Sequence, residues 1–171
     1  CNVIAEEADR FAWLSESSAL SQYDKEQYAR IQRGDLGNPA ELQRSLKTLS
    51  KMLYKHYGRQ VIILIDEYDV PLEKAYQKRY YEKMISVLRS VLMMALKTNE
   101  YLYFAVLTGC LRISKESIFT GLNNLSVHTI QDAIYDEYFG FTDPEVRQLL
   151  EYYGINGKYE EVREWYDGYR F

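Results

Sequence analysis

The sequence predicts an α/β fold in which a parallel sheet is flanked by helices and followed by a helical C-terminal part. Two short apolar runs, at 61–65 and 101–108, predict strands, and the run at 61–65 does not alternate with polar residues, which is typical of a parallel strand buried on both faces. Segments with apolar residues at helical spacing lie before, between and after these runs. A chain of 171 residues, 47% of them hydrophobic, can bury the core of one ordinary domain.

The first clear helix is predicted at 38–58. Asn38 suits the cap, Pro39 suits the first helical position, and Glu41 stands where a capping box needs an acidic side chain. Gly58 provides the end of the helix. The residues spaced for one apolar face are Leu42, Leu46, Leu49 and Leu53. We also expect helices within residues 1–35, where the pattern is less regular.

The strand at 61–65 is followed by a helical pattern from about 72 to 97 and then by the strand at 101–108. The apolar residues on one side of this second helix are Met84, Leu88, Val91, Leu92 and Ala95. Because helix and strand alternate, the two strands are predicted to be parallel and joined by a crossover connection.

The remaining residues are predicted to form a helix at 115–122, a short strand at 126–130 and a helix that starts with a capping box at Thr142 and Glu145 and ends before Gly154. The block Trp165, Tyr166, Asp167, Gly168 and Tyr169 is expected to end a last helix and to pack its aromatic rings under the edge of the sheet. These elements are interpreted as one domain, with an α/β core at about 38–130 and a helical extension at about 131–171.

Composition excludes several classes of protein. A net charge of -4 gives no large basic field to attract nucleic acid. The chain has no apolar run of membrane-spanning length, and Cys1 and Cys110 match no disulfide or metal spacing, so we interpret it as soluble and cytoplasmic. His56 and His128 are isolated, which favours packing over metal binding, and Cys110 is expected to be a buried, inert thiol.

Three carboxylates follow the first strand directly. In a parallel sheet, ligands bind outside the carboxyl ends of the strands, where Asp66, Glu67 and Asp69 are predicted to lie. An apolar strand followed by Asp-Glu is the Walker B arrangement, in which Asp66 would help to hold Mg²⁺ and Glu67 would polarise a water for attack on a phosphate. The alternative is that these residues are ordinary loop and capping residues, and Asp69 is placed to cap the following helix.

Thr108 and Gly109 end the second strand. If the two strands are neighbours, Thr108 lies near Asp66 and offers a hydroxyl to a phosphate or a water. The alternative is that Thr108 is an ordinary residue at the end of a strand.

Four separated blocks together resemble the predicted AAA-ATPase-like family of bacteria and archaea. The blocks are LIDEYDVPLEKA at 64–75, AVLTGCLRISKESIFTGLNNL at 105–125, FGFTDPEV at 139–146 and EWYDGYRF at 164–171. The resemblance covers at least residues 38–171 and implies a partial P-loop NTPase fold of the AAA type that uses ATP and Mg²⁺. It implies that Asp66 is the Walker B aspartate, Glu67 the catalytic glutamate and Thr108 the sensor residue. Arg112 and Lys115 are candidate cations facing phosphate, although Lys115 fits a solvated surface equally well.

The sequence departs from this family in one respect. A P-loop needs a glycine-rich turn that ends in Gly-Lys-Ser or Gly-Lys-Thr, and no such turn occurs in these 171 residues. In the family the P-loop precedes the matched region, and a PD-(D/E)XK nuclease-like region often follows it. We therefore expect an internal part of a longer protein, whose partners are ATP and the remainder of that protein, with nucleic acid reached only through the missing region and no contact with a membrane. We also expect this polypeptide alone to bind ATP weakly or not at all.

Three functional hypotheses follow. The first is the Walker B and sensor half of an ATPase, and the second is a degenerate module that binds a protein or nucleic acid without hydrolysis. The third is a nuclease metal site formed by Asp66, Glu67 and Asp69, which is disfavoured because no suitably placed lysine is evident on the neighbouring strand.

Overall fold

A computed structural model describes residues 2–110, 118–122, 124–129, 132, 134–135, 138 and 140–166. The chain forms two compact units, Cys1–Asn123 and Asn124–Phe171, which are described separately. Within the described residues, none of the helices is long and apolar enough to cross a membrane.

The first unit contains five α-helices and two strands among its described residues. Their bounds are α1 Asn2–Asp9, α2 Gln22–Gln32, α3 Pro39–Tyr57, β1 Val61–Ile65, α4 Val70–Gln77, α5 Tyr81–Leu92 and β2 Leu102–Leu107. A 3₁₀ helix, Ala12–Glu16, lies between α1 and α2, and a π-helical turn, Met93–Lys97, extends α5. The mixed α/β class and the helices expected in the first 35 residues are confirmed.

The first three α-helices share a hydrophobic core. Its buried residues are Ala8, Leu14, Leu20, Tyr28, Ile31, Leu49 and Met52. The Tyr28 hydroxyl donates a hydrogen bond of 2.7 Å to the carbonyl of Ala8, so the polar tip of this buried ring is satisfied. Of the four residues predicted for the apolar face of α3, Leu49 is buried in this core and Leu53 packs against it.

The predicted ends of α3 are also confirmed. The side chain of Asn38 accepts a hydrogen bond of 3.1 Å from the Glu41 N–H, and Gly58 has the left-handed conformation, with φ of 65°. The Glu41 carboxylate accepts hydrogen bonds from the Gly37 N–H at 3.0 Å and from Arg30 at 2.6 Å. Glu41 therefore fixes the segment that precedes the helix, but the capping box predicted for it is not formed, because its carboxylate bonds to the Gly37 N–H.

Strands β1 and β2 pair in parallel, as predicted. Ile65 and Leu107 pack against a second core whose buried residues are Leu72, Ile85, Leu92 and Ile118. The opposite side, here called the exposed sheet face, consists of the cross-strand pairs Ile62–Phe104 and Leu64–Val106, and all four side chains are exposed. The prediction that the strand at 61–65 is buried on both faces is therefore wrong, because among the described residues only one face is covered by helices.

The helical pattern predicted at 72–97 is interrupted. Helix α4 ends at Gln77 and α5 begins at Tyr81, with Arg79 in the left-handed conformation at φ of 61°. The Tyr80 N–H donates to the carbonyl of Ala75 and the Arg79 N–H to that of Tyr76, which closes the end of α4. Apolar periodicity does not reveal the break, because residues on both sides of it contribute to the same core.

The second unit contains α6, Asp143–Tyr152, a short 3₁₀ helix, Asn156–Lys158, and α7, Tyr159–Tyr166. The predicted start of α6 is confirmed, since the N–H and hydroxyl of Thr142 donate to the Glu145 carboxylate at 2.8 and 2.7 Å. Gly154, with φ of 68°, follows the helix. The guanidinium of Arg147 lies 3.5 Å from the centre of the Tyr159 ring, which joins α6 to α7.

Three predictions for the later part of the chain are wrong. Residues 118–122 are not helical and residues 126–129 do not form a strand, while 115–117, 130 and 167–169 lie outside the described residues. Trp165 and Tyr166 end α7, but both side chains are exposed rather than packed. Short apolar runs such as 126–130 do not distinguish a strand from an extended loop.

Candidate functional site

The candidate site lies at the edge of the sheet where both parallel strands end. The hydroxyl of Thr108, directly after β2, donates a hydrogen bond to Oδ1 of Asp66, directly after β1. The Thr108 N–H donates to the carbonyl of Ile65 at 2.9 Å, which continues the strand pairing to this point. The expectation that Thr108 lies beside Asp66 is therefore confirmed.

The Asp66 carboxylate is held by two donors. In addition to the Thr108 hydroxyl, the Glu67 N–H donates to the same oxygen, Oδ1, at 3.0 Å. The side chain is nevertheless exposed. Asp66 thus combines a fixed orientation with access to a solvent-borne ligand.

Glu67 is the second exposed carboxylate of the site, and its backbone is strained. Its φ of 52° lies in the left-handed region, which costs a residue with a Cβ atom about 1–2 kcal/mol. The Tyr68 N–H donates to the carbonyl of Thr108 at 3.1 Å, so the chain is fastened to β2 on the far side of Glu67. Strain that neighbouring contacts maintain is typical of functional positions.

Asp69 has a different role from the one predicted. Its side chain makes no capping hydrogen bond to α4. Instead, Oδ2 accepts a hydrogen bond of 3.0 Å from the Cys110 N–H, and the residue is only 4% exposed. The predicted cap is wrong because the residue's own backbone is already helical, with φ of -90° and ψ of -20°, and its side chain bonds across to the loop after β2.

Gly109 is a site residue that the sequence did not single out. A Cβ atom there would stand 2.7 Å from a ring carbon of Tyr68 and 2.8 Å from Oδ1 of Asp69, both shorter than a normal contact. The Tyr68 ring packs edge-on against Phe119, with 5.3 Å between ring centres. Glycine is therefore required where the two loops approach most closely.

The remaining candidate residues are Arg112, Lys115, Cys110, His56 and His128. Arg112 and Lys115 lie outside the described residues. Cys110 is exposed, so the expected burial of its thiol is wrong. His56 Nδ1 is 2.8 Å from the Ser17 hydroxyl, and His128 Nε2 is 2.8 Å from the Ser126 hydroxyl, so both rings have local polar partners.

The carboxylates do not converge on a common metal site. In the part of the chain that the structure describes, no group of three His, Cys, Asp or Glu residues could hold a metal ion. The nuclease hypothesis, which needs Asp66, Glu67 and Asp69 together, is therefore wrong. Asp66 alone does fit Mg²⁺, because this ion often takes one or two carboxylates and completes its shell with water and substrate phosphates.

Comparison with known proteins gives the class to which the chain belongs. A model of the family described as predicted AAA-ATPase matches residues 5–119, so the chain is a member of this family. This match confirms the resemblance and extends it towards the N-terminus, and it includes both strands, Asp66, Glu67 and Thr108. The blocks at 139–146 and 164–171 lie beyond the matched residues.

One relative is an uncharacterized protein in the vnfD 5′ region of Azotobacter chroococcum mcd 1. It is 32% identical over 117 residues, which are 67% of this chain and 22% of the relative. The matched part therefore spans about a fifth of that protein's length. No solved structure matches the chain.

Proposed function

We propose that Asp66, Glu67 and Thr108 form the Walker B and sensor part of an ATP-hydrolysing site of the P-loop type. The observation that carries this proposal is the hydrogen bond from the Thr108 hydroxyl to Asp66 at the carboxyl edge of a parallel sheet. Membership of the predicted AAA-ATPase family supports the use of nucleotide and Mg²⁺ in general.

In this proposal Asp66 contributes one carboxylate oxygen to Mg²⁺, which neutralises charge on the phosphates when it is bound. Because Thr108 and the Glu67 N–H both engage Oδ1, the other oxygen, Oδ2, is assigned to the ion. Thr108 acts on the ion through the carboxylate that it orients. A hydroxyl at this position can also donate to a phosphate oxygen as its contact with Asp66 changes.

Glu67 is proposed to accept a proton from the attacking water. Its carboxylate is exposed at the same edge as Asp66, while its backbone is fixed by the bonds on either side. A base that is free to accept a proton must not be consumed by an ion pair. No ion pair of Glu67 with another described residue is found at the site, in contrast to Asp24 and Glu41 elsewhere in the unit.

The phosphates themselves need a further cradle. The 171 residues contain no Gly-Lys-Ser or Gly-Lys-Thr turn, and the chain matches about a fifth of its relative's length. We therefore assign the phosphate-binding loop to a part of the protein outside this sequence. Arg112, four residues after Thr108, remains a proposed cation for the phosphates.

The test is Glu67→Gln in the natural protein that carries this chain. We expect the ATP turnover number to fall by about 10²–10⁴-fold, the usual contribution of a general base, while the dissociation constant for ATP stays within about threefold. Asp66→Ala should abolish the Mg²⁺-dependent turnover itself.

Glu73→Gln is the matched control, because Glu73 is exposed in α4 near the site. Turnover at the parental rate in Glu67→Gln would show that the role assigned to Glu67 is wrong.

The second candidate is a degenerate module that binds a protein or nucleic acid and hydrolyses nothing, and loss of the Gly-Lys-Ser or Gly-Lys-Thr loop from the natural protein would support it. Calorimetric titration of the 171-residue chain with Mg-ATP bears on both candidates. We expect a dissociation constant of about 1 mM or weaker. Micromolar binding would contradict the assignment of the phosphate cradle to another segment. A natural protein without any ATP turnover would support the binding module.

A further inference from the structure

We propose that Asp69 is a positioning residue which, together with Gly109, locks the loop after β1 to the loop after β2 and so holds Asp66, Glu67 and Thr108 in register. As far as it concerns turnover, the inference rests on the proposed function. Asp69 is not expected to contact substrate, because its side chain is buried and bonded to the Cys110 N–H.

The two loops are joined at successive positions beyond the strands. The Thr108 N–H donates to the Ile65 carbonyl at 2.9 Å, and the Tyr68 N–H donates to the Thr108 carbonyl at 3.1 Å. The Asp69 carboxylate then accepts from the Cys110 N–H at 3.0 Å. Beyond Tyr68 the chain turns into α4, which begins at Val70, and the backbone no longer pairs with the loop after β2. The Asp69 side chain supplies the next hydrogen bond between the two loops.

This connection explains why Glu67 tolerates its left-handed backbone. The strain at Glu67 would be relieved by rotation of the chain between Asp66 and Tyr68. Rotation is opposed on one side by the Asp66–Thr108 bond and on the other by the Tyr68–Thr108 bond. The Asp69–Cys110 bond is the next point of attachment, so its loss should allow the Tyr68 contact to open.

Gly109 allows the loop after β2 to come close to the loop after β1, because it has no side chain. Any side chain there would meet the Tyr68 ring at 2.7 Å and the Asp69 carboxylate at 2.8 Å. Tyr68 cannot easily yield, since its ring packs against Phe119 in the second core. A Cβ atom at position 109 should therefore separate the two loops at the same place as removal of the Asp69 carboxylate.

The first measurement is amide hydrogen exchange in the natural protein that carries this chain, a readout that is independent of catalysis. In Asp69→Ala we expect the amides of Tyr68 and Cys110 to exchange at least about tenfold faster, while the core amides of Leu49 and Met52 change by less than about twofold. Asp69→Asn keeps an oxygen acceptor and should restore most of the protection. Glu73→Ala, an exposed carboxylate in the following helix, is the matched control.

The second measurement is steady-state turnover in the natural protein that carries this chain. We expect Asp69→Ala and Gly109→Ala to lower kcat about tenfold or more with KM within about twofold, and Asp69→Asn to recover most of kcat. A change in KM alone, with kcat at the parental value, would overturn the positioning role.

The outcomes separate this inference from the proposed function. Unchanged protection of Tyr68 and Cys110 in Asp69→Ala would overturn the inference, and so would an equal acceleration of every amide, which would show a general loss of stability. If the natural protein shows no turnover that depends on Glu67, the proposed function fails, while the exchange pattern still decides whether Asp69 joins the loops.

Discussion

Glu67 occupies a backbone conformation that residues other than glycine rarely adopt. In most loops a glutamate would adopt a negative φ instead of this value of 52°. Here the hydrogen bonds of Asp66 and Tyr68 to Thr108 keep the backbone of Glu67 in the left-handed conformation. A glutamate at such a position costs stability without any compensating contact of its own carboxylate among the described residues. The cost is consistent with selection for the chemistry of this side chain rather than for folding.

Substitutions at Glu67 should therefore show how much its backbone strain costs in stability, separately from the role of its carboxylate. We expect Glu67→Gly to be roughly 0.5–1 kcal/mol more stable than Glu67→Ala, because glycine adopts the left-handed conformation without the Cβ penalty. Urea denaturation measures the difference in the free energy of unfolding.

The same pair of substitutions at Glu73, inside α4, provides the control. There the order should be reversed, with glycine about 1 kcal/mol less stable than alanine. If the alanine variant is more stable than the glycine variant at both positions, the backbone of Glu67 is not strained in solution.

Sequence reasoning reached some residues of the site and not others. Asp66 and Thr108 could be selected because each directly follows an apolar strand, with Glu67 next to Asp66, and strands that run in parallel end at one edge. Asp69 was predicted to cap the following helix instead of bonding to the loop after β2, and no role in the approach of the two loops was predicted for Gly109. Their roles depend on a contact between residues 40 positions apart, and the local pattern contains no signal of that contact.

At the scale of elements, α2 and α3 are joined by a buried charge. The Asp24 carboxylate, 3% exposed, accepts hydrogen bonds from Lys55 at 2.5 Å, Ser21 at 2.7 Å and Lys51 at 3.2 Å. Burial alone would raise the pKa of Asp24, but these hydrogen bonds outweigh it and hold the pKa well below its ordinary value of 3.8. Local sequence patterns do not reveal this cluster, because Lys51 and Lys55 lie 27 and 31 residues from Asp24 in the chain.

Removal of this charge should destabilise the first unit in a pH-dependent manner. We expect Asp24→Asn to lower the free energy of unfolding by about 2 kcal/mol at pH 7. Because the pKa is lower in the folded state, the contribution of Asp24 is fully present above about pH 4, near the unfolded value of 3.8, and is lost progressively at lower pH.

Denaturant titrations at pH 7 and pH 3 check this expectation. The difference between the parent and Asp24→Asn should be smaller at pH 3. Asp35→Asn, which alters an exposed carboxylate that follows α2, should show no such trend. A difference that does not change with pH would contradict the ionic contribution.

The exposed sheet face and the second core are predicted to respond differently to the same substitution. Leu64, on the exposed sheet face, is 74% exposed, whereas Leu72, in the second core, is 1% exposed. We expect Leu72→Ala to cost about 2–5 kcal/mol through loss of burial and creation of a cavity, and Leu64→Ala to change stability by less than about 0.5 kcal/mol. Thermal or denaturant unfolding of the two variants of the 171-residue chain gives the comparison, and an equal loss would show that Leu64 is covered in solution.

For the whole molecule, the family match and the candidate site fall in the same unit. Residues 5–119 match the predicted AAA-ATPase family, and the first unit is Cys1–Asn123, whereas the helical second unit lies beyond the match. The interpretation of all 171 residues as one domain stays a prediction. The first unit contains both hydrophobic cores and the paired strands, so it carries the structural basis of the proposed function.

The sequence by itself determined the family, the α/β class, the parallel pair of strands and the position of Asp66, Glu67 and Thr108 at their ends. These features follow from local patterns: capping residues, apolar periodicity and the change from an apolar run to acids. Only the tertiary structure decided that one sheet face is exposed, that the helix after β1 breaks at Arg79, and that Asp69 bonds to the Cys110 N–H beside Gly109. Those features depend on which distant residues approach one another, and local periodicity carries no information about that approach.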